Sequence, residues 1–397
     1  MIEGDYMPIP NKPAFDVIEL TRQLVSIPSF VDKQHNETAL VDYLEKFFAS
    51  NLPTLKTERQ YIDSSRNRAN LVIKGRDKPK LFVLGHIDTV QPTDNWSTDP
   101  LTPVVRDNRL YGLGAADMKG SLAAFLCALI ETDSTLLDNM MILLYVDEEY
   151  DFAGMRRFLE DNTLNRTPPE LIISLDGALD LLSGCRGLIE FSARIKGKSG
   201  HSSNPNNGLN VITRTVDAIQ NLEVQLHEFN DAQLGGSTLN VAYLQGGVIE
   251  NQNGQDQWLR EGNVIPDTAD VVLEFRTAHR DLDAIKARDL FVREIEEQKL
   301  SVDSITVRHN YGLWPVSYDS RMMSFLEQCY EDAGLAFQKS DRSKSGFIDV
   351  QMITEVITAP TYVIGAGGEN KHGADESVDI EDLTKAKDIY KVILINS

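Results

Sequence analysis

Cysteine is scarce in this sequence of 397 residues. Its three cysteines, Cys127, Cys185 and Cys329, are far apart, and no two of them form a Cys-x-x-Cys pair. Such spacing favours neither a disulfide framework nor a thiolate metal site. Because the first residues also lack the basic start and the apolar run of a signal peptide, we expect a protein of the reducing cytoplasm.

Basic residues are few compared with acidic ones. Lysine and arginine total 39, aspartate and glutamate total 60, and the formal net charge is -21. This excess of negative charge disfavours a nucleic-acid backbone or an anionic membrane as the main partner. The sequence also has no run of about 18 apolar residues that could span a bilayer. We therefore expect neither a nucleic-acid nor a membrane partner.

The hydrophobic residues follow the pattern of an α/β protein. They make up 42% of the chain and charged residues 25%, as in folded globular proteins. The length favours two domains. Segments with helical spacing alternate with short apolar runs, which predicts a mostly parallel sheet with strands near 70–75, 81–85, 140–146, 171–175 and 361–365.

The middle of the chain has a different pattern. Its alternating and helical segments follow one another in the order β-α-β-β-α-β, which predicts a smaller α+β domain inserted into the first. We place this inserted domain at 185–298 and the larger domain at 1–184 plus 299–397. Within the inserted domain, the Gln-, Asn- and Gly-rich residues 250–262 predict an exposed hairpin or loop.

Histidines and carboxylates follow the predicted strands, at the sheet edge where ligands bind in α/β proteins. Taken singly, each has an ordinary interpretation, such as a hydrogen-bonded pair for His86 and Asp88, a helix N-cap for Asp117, or a solvated loop for 147–149. Together they supply two imidazoles and three carboxylates, which suit two zinc or similar divalent ions. The candidate ligands are His86, Asp117, Glu149, Asp176 and His372.

The paired glycines Gly112 and Gly114 also suggest a dinucleotide-binding loop. The third glycine of that motif is absent, and no strand of a compact βαβ unit leads into the turn. The sequence therefore disfavours an NAD-dependent oxidoreductase.

Five motifs follow one another between residues 85 and 266. In them the sequence resembles the M20 family of dinuclear zinc peptidases and deacylases. The resemblance implies a metal-dependent hydrolase of linear amide bonds, with a catalytic domain interrupted by a lid. The motifs are GHIDTV at 85–90, the segment 111–123, DEE at 147–149, GKSGHSS at 197–203 and GNVIP at 262–266.

The resemblance also implies a ligand set for two zinc ions, with Co²⁺ or Mn²⁺ as substitutes. One ion would be bound by His86 and Asp176. The other would be bound by Glu149 and His372, and Asp117 would bridge the two.

Three catalytic roles and a dimer follow from the same resemblance. Asp88 would orient His86, and Glu148 would be the general base for the attacking water. His201 would stabilise the oxyanion in the neighbouring subunit of a homodimer formed through the lid. A solvated loop histidine remains the alternative for His201.

The resemblance also implies three substrate-binding residues in the lid. Arg276 and Asn263 would hold the substrate carboxylate, and Arg186 matches a basic position that contacts substrate in the desuccinylases. An exposed sheet residue remains the alternative for Arg276, and a hinge salt bridge the alternative for Arg186.

Within the family, the motifs are most similar to those of acetylornithine deacetylases. This implies removal of the acyl group from a small-molecule N-acyl-L-amino acid in arginine biosynthesis. A succinyl-diaminopimelate desuccinylase, a metallo-dipeptidase or carboxypeptidase and, more remotely, a non-catalytic binding protein remain alternatives. Two departures from the deacetylase pattern are the long 250–262 segment and Lys344, which would repel an ornithine ammonium if it faces the pocket.

Overall fold

The computed structural model describes residues 15–75, 78–161, 164, 166–252, 255–259, 261–315 and 319–397. No helix in these ranges is long and apolar enough to cross a membrane. The helices are α1 (Val17–Val25), α2 (Thr38–Asn51), α3 (Gly120–Glu131), α4 (Ala153–Asp161), α5 (Val211–Leu226), α6 (Ala284–Glu297), α7 (Ser320–Asp332), α8 (Val350–Val356) and α9 (Ile380–Asn396). The strands are β1 (Lys56–Asp63), β2 (Arg68–Lys74), β3 (Leu81–His86), β4 (Val104–Arg106), β5 (Arg109–Tyr111), β6 (Met140–Tyr145), β7 (Leu171–Ser174), β8 (Gly187–Lys196), β9 (Asn230–Asp231), β10 (Gly235–Gly236), β11 (Thr238–Gln252), β12 (Gln255–Leu259), β13 (Thr268–Thr277), β14 (Ser301–Tyr311), β15 (Thr361–Val363) and β16 (Ser377–Asp379).

The chain divides into two compact units. Unit 1 comprises Met1–Ser183, Ser317–Ser340 and Met352–Ser397, and unit 2 comprises Gly184–Val316 and Asp341–Gln351. The predicted boundary at residue 298 leaves out β14, but β14 pairs with β8 along almost its whole length. Unit 2 is therefore larger than the lid predicted at 185–298.

A six-stranded sheet in the order β1-β2-β6-β3-β7-β15 forms the framework of unit 1. Strand β3 is parallel to β6 and β7, and β7 is parallel to β15, whereas β2 is antiparallel to both β6 and β1. Every residue of β3, β6 and β7 is buried, as expected for strands covered on both faces. The predicted α/β class with a mainly parallel sheet is confirmed.

Helix α3 is apolar around its whole circumference. All its residues from Gly120 to Ile130 are buried. A helix of this kind must be covered on all sides, and α3 packs against α1 and α9. The ring of Phe125 meets that of Tyr390 edge to face, with centroids 5.7 Å apart. This packing fixes the start of α3 and the turn before it, which carries Asp117.

A small antiparallel sheet in the order β16-β5-β4 completes unit 1. Ser377 pairs with Tyr111, so the residues before β16 lie beside those after β5. The N–H of Gly112 donates to the main-chain oxygen of Glu376 at 3.0 Å. The sheet thereby connects the loop that carries His372 to the turn that carries Asp117.

Unit 2 has a five-stranded antiparallel sheet in the order β12-β11-β13-β8-β14. Helices α5 and α6 pack against each other and against this sheet, and residues such as Phe191, Phe275 and Phe291 form its core. The main elements follow one another as β8, α5, β11, β13, α6 and β14. In the predicted 250–262 extension, where 253, 254 and 260 lie outside the described residues, β11 and β12 form an antiparallel hairpin.

Candidate metal centre

The last residue of β3 is the buried histidine His86. Its Nδ1 lies 3.1 Å from the main-chain oxygen of Asp88 and 3.7 Å from the carboxylate Oδ1 of the same residue. Because a carbonyl oxygen only accepts hydrogen bonds, the shorter contact identifies Nδ1 as a protonated nitrogen. Nε2 then faces Asp117 Oδ1 at 3.1 Å. Asp88 is thus positioned to orient His86 through its main chain.

The Asp88 carboxylate has a different contact. Its Oδ2 accepts a hydrogen bond from the main-chain N–H of Glu149 at 3.0 Å. Burial raises the pKa of Asp88 to about 7, although the His86 charge opposes this shift. Asp88 therefore links the end of β3 to the residues that follow β6.

A short turn before α3 carries Asp117. The turn begins after Gly114, whose φ of 79° is a conformation that favours glycine, and the Asp117–Met118 peptide bond is cis. The buried Glu376 carboxylate accepts hydrogen bonds from the N–H groups of Gly114, Ala116 and Asp117 at 2.8, 2.9 and 2.9 Å. Three main-chain donors on one carboxylate hold the turn in place.

The acidic run after β6 separates into different environments. Asp147 does not face the cluster, because its Oδ1 binds Arg68 at 2.5 Å and its Oδ2 accepts the N–H of Ala153 at 3.2 Å. Arg68 also contacts the fully buried Glu37 at 2.6 Å. Arg68 therefore neutralises Asp147, and only the two glutamates of this acidic run remain for the cluster.

Glu148 and Glu149 lie on the cluster side of this turn. Glu149 Oε2 is 2.9 Å from His372 Nε2. Among the described residues, its buried Oε1 finds no hydrogen-bond partner. The negative charge of Glu148 is close enough to His86 to help raise the imidazole pKa. Glu149 thus offers a buried oxygen atom to a cation.

Asp176 and the loop before β16 complete the cluster. Lys371 Nζ lies 3.2 Å from Asp176 Oδ1 and 3.4 Å from Asp117 Oδ2. Burial lowers the pKa of Lys371, but the charges of Asp176 and Asp117 outweigh it, and the net shift is upward. The next residue, His372, has its Nε2 3.5 Å from Asp117 Oδ2.

Both histidines of the cluster have raised pKa values. Hydrogen bonds to Asp117 and Glu149 raise the pKa of His372 to about 10. Burial lowers the pKa of His86, yet the hydrogen bond to Asp117 and the nearby carboxylates raise it well above its ordinary value. For Asp117, burial is outweighed by Lys371 and the two histidines, which hold its pKa well below the usual range. Without metal, the two imidazoles of the cluster are therefore protonated, whereas a histidine that binds a metal ion must be neutral.

Two groups of residues in the described chain could hold a metal ion. One is His86, Asp117 and Asp176, the other is Asp117, Glu149 and His372, and the ligand atoms of each group lie within 4.8 Å of one another. Imidazole and carboxylate donors without thiolate suit zinc and similar divalent ions. The structure thus brings together all five predicted ligands and gives Asp117 to both groups, so the donor set fits two ions.

The predicted site residues of unit 2 form two further groupings. His201 bridges to Val264 through its main chain, and the Asn263 carbonyl accepts the N–H of Ser202 at 3.0 Å, so His201 and Asn263 lie on neighbouring segments. His201 is exposed, and its Nδ1 accepts the N–H of Ser203 at 3.1 Å. Among the described residues of unit 2, none forms a hydrogen bond with its Nε2.

Arg186 and Arg276 form the other grouping. Arg186 donates to the main-chain oxygens of Ser345 at 2.9 Å and Gly236 at 3.3 Å, and Arg276 contacts Glu274 at 3.0 Å. Burial and the charge of Arg276 lower the pKa of Arg186. Two guanidinium groups are therefore near each other in unit 2. The side chain of Lys344, a few residues away in sequence, lies outside the described part of the structure.

Four residues near the cluster were not predicted from the sequence. Lys371 and Glu376 lie in the same loop as His372, and their charge is the sequence signal that could have identified them. Glu37 and Arg68 are scattered charged residues with no local motif, and only the folded chain shows that they meet beside Asp147. A sequence pattern could have indicated the first pair but not the second.

The sequence is similar to a known protein family and to curated proteins. The model of Peptidase family M20/M25/M40 matches residues 82–396. The acetylornithine deacetylase of Klebsiella pneumoniae (strain 342) is 35% identical over 256 residues, which are 61% of this chain and 65% of that protein. The match thus spans somewhat less than two thirds of the curated relative.

Solved structures share the fold. A tripeptidase from Staphylococcus aureus has a TM-score of 0.74 at 22% identity and covers 96% of this chain and 97% of its own. An M20 family metallo-carboxypeptidase from Sulfolobus solfataricus has a TM-score of 0.75 at 19% identity, with 96% and 98% covered. The family model extends over most of the sequence, from β3 to the end of α9, and the chain therefore belongs to the M20/M25/M40 peptidase family.

Proposed function

We propose that this chain is a dinuclear-metal amidohydrolase that removes the acyl group from an N-acyl-L-amino acid. The observation that carries the proposal is the pair of ligand groups sharing Asp117. The similarity to acetylornithine deacetylase supports the substrate class. Zinc is the proposed ion, with Co²⁺ or Mn²⁺ as substitutes, because the donors are imidazole and carboxylate.

Residues of unit 1 have separate tasks in this reaction. When bound, the two ions would polarise the amide carbonyl and lower the pKa of water. Glu148 accepts a proton from the attacking water and passes it to the leaving amine, because its carboxylate lies beside His86 but outside both ligand groups. Asp88 holds both His86 and the main chain of Glu149.

Residues of unit 2 are proposed to recognise the substrate. Arg276 and Asn263 bind the substrate carboxylate, and Arg186 assists them. The neighbouring guanidinium groups support this assignment, because a bound anion relieves their repulsion and accepts paired hydrogen bonds. His201 stabilises the oxyanion in the other subunit of a homodimer formed through unit 2.

A second candidate function is the cleavage of short peptides. The bond to be broken is chemically the same amide, and the structures that share this fold include a tripeptidase and a carboxypeptidase. Only the pocket around the acyl group and the leaving amine distinguishes the two reactions.

The proposal is tested by amine release from N-acetyl-amino acids, N-succinyl-amino acids, dipeptides and tripeptides. The zinc-loaded protein should release amine from one N-acyl class, and a chelator should abolish the release. Turnover of peptides alone would favour the second candidate. Binding of two ions with no turnover of any substrate would contradict both and favour a binding protein.

A further inference from the structure

A lysine lies among the candidate metal ligands. Lys371 Nζ contacts Asp117 Oδ2 at 3.4 Å and Asp176 Oδ1 at 3.2 Å, and its side chain is 37% exposed. Its ammonium group therefore occupies a position between two carboxylates that would otherwise face a divalent ion. Lysine is not one of the ligand types for such ions, because a charged ammonium group has no lone pair to donate.

The lysine does not affect the two ligand groups equally. It contacts two members of the group His86, Asp117 and Asp176, but only the shared Asp117 in the group with Glu149 and His372. The Lys371 ammonium lies at Asp176 and repels a cation that enters beside this carboxylate. It must therefore move aside for an ion to bind there.

We propose that Lys371 is a built-in counter-cation that competes with the divalent ion for the group His86, Asp117 and Asp176. This inference rests on the proposed dinuclear function. The ion at Asp117, Glu149 and His372 binds first and more tightly. The second ion binds only by displacing the Lys371 ammonium from Asp176, so that Lys371 sets the difference between the two affinities.

Removal of this charge has two opposite consequences. Without bound ions, the carboxylates of Asp117 and Asp176 lose a neutralising partner, so the metal-free protein becomes less stable. With ions, the weaker site loses its competitor and binds more tightly. A lysine that only supported the local structure would instead weaken metal binding when removed.

The experiment is a titration of the metal-free full chain with Zn²⁺ against a chelating indicator, for wild type and Lys371→Met. The wild type should bind two ions with separate dissociation constants. In Lys371→Met the dissociation constant of the weaker site should fall at least about tenfold, since a unit charge a few ångströms from the ion is removed. The stronger constant should change less, and the metal-free protein should melt at a lower temperature.

Matched variants assign the effect to this position and to one ligand group. Lys371→Arg keeps the charge and should resemble wild type, and Lys371→Gln repeats the test if the Met variant does not fold. Lys391→Met removes a lysine of the same 37% exposure from a contact with Glu131, and should leave both constants unchanged. Lys371→Met should increase the Zn²⁺ affinity more in a His372→Ala background, which keeps the group with Asp176 intact, than in a His86→Ala background.

The outcomes separate this inference from the function on which it rests. One outcome is that the wild type binds two ions while Lys371→Met leaves both dissociation constants unchanged or raises both. That result would overturn the competition by Lys371 but not the dinuclear function. A wild-type protein that binds no ion would overturn the dinuclear function, and the competition with it.

Discussion

Glu148 and Glu149 are neighbours in the chain but differ in their surroundings. Glu149 belongs to a ligand group, whereas Glu148 does not. We therefore expect Glu148→Gln to lower kcat by roughly 10²–10⁴-fold, the usual contribution of a general base, while two ions remain bound. Glu149→Gln is the contrast, because it should lose metal affinity. Steady-state kinetics and metal analysis of both variants test this, and loss of metal from Glu148→Gln would make Glu148 a ligand.

The raised histidine pKa values predict how metal affinity depends on pH. Because the pKa of His372 is about 10 without metal, this imidazole is protonated at pH 7 and must lose its proton to become a ligand. The pKa of His86 is also raised, so its imidazole must lose a proton in the same way. Binding should therefore release protons at pH 7, and affinity should rise as the pH increases toward about 10. Calorimetric titration in buffers of different ionisation enthalpy measures the release, and an exchange of no protons would contradict it.

Individual residues show why the candidate ligands could be found from the sequence and their hydrogen-bond partners could not. His86 ends one apolar run, and Asp176 and Glu149 follow two others, so strand ends indicated these three candidates. The contact of Lys371 with Asp176 joins residues far apart in the chain and depends on the conformation of a loop. Loop conformation leaves no periodic signal in a sequence, and such contacts required the structure.

At the scale of elements, the turn before α3 depends on a carboxylate from another segment. Glu376 is buried and accepts the N–H groups of Gly114, Ala116 and Asp117. Glu376→Ala should lower the free energy of unfolding by about 2 kcal/mol or more, because each N–H left without an acceptor is costly. It should also weaken metal binding, since Asp117 loses its support. Chemical denaturation and a zinc titration measure the two effects.

A glutamate of the same loop provides the control for this prediction. Glu369 has a side chain that is 67% exposed and contacts Arg109 at 3.2 Å. Glu369→Ala should change the free energy of unfolding by no more than about 0.5 kcal/mol, as is usual for an exposed position. Equal effects of the two variants would show that the carboxylate of Glu376 does not hold the turn.

Elements were predictable from the sequence where burial is complete. Strands β3, β6 and β7 are almost continuous apolar runs because both faces of the sheet are covered there. Strands β4, β5 and β16 have three residues each, and so short a segment shows no periodicity. This small sheet was therefore missed, although it joins the Asp117 turn to the His372 loop.

At the scale of the whole molecule, the order of segments along the chain does not show which segments belong to which unit. Strand β14 lies beyond the predicted end of the lid, yet it pairs with β8, more than 100 residues earlier in the chain. Residues 341–351 also belong to unit 2, after a return to unit 1. Pairing between distant segments is decided by the folded sheet, so the local pattern predicted the elements of unit 2 but not its C-terminal limit.

All the candidate ligands belong to unit 1, and this predicts an unequal response to metal removal. The five side chains come from the ends of β3, β6 and β7 and from loops of the same unit. Ions that bind only the folded state stabilise it by about 2.7 kcal/mol per site when their concentration is 100 times the dissociation constant. A chelator should therefore lower the melting temperature and increase amide hydrogen exchange in β3, β6, β7 and the Asp117 turn.

Strands β8 and β13 are the internal reference for this experiment. They form the centre of the sheet in unit 2 and contain no member of either ligand group. Their exchange rates should stay unchanged under conditions in which the chelator only opens the metal site. If β8 and β13 lost protection to the same extent as β3 and β6, the ions would stabilise both units as one cooperative structure, and metal binding would not be a property of unit 1 alone.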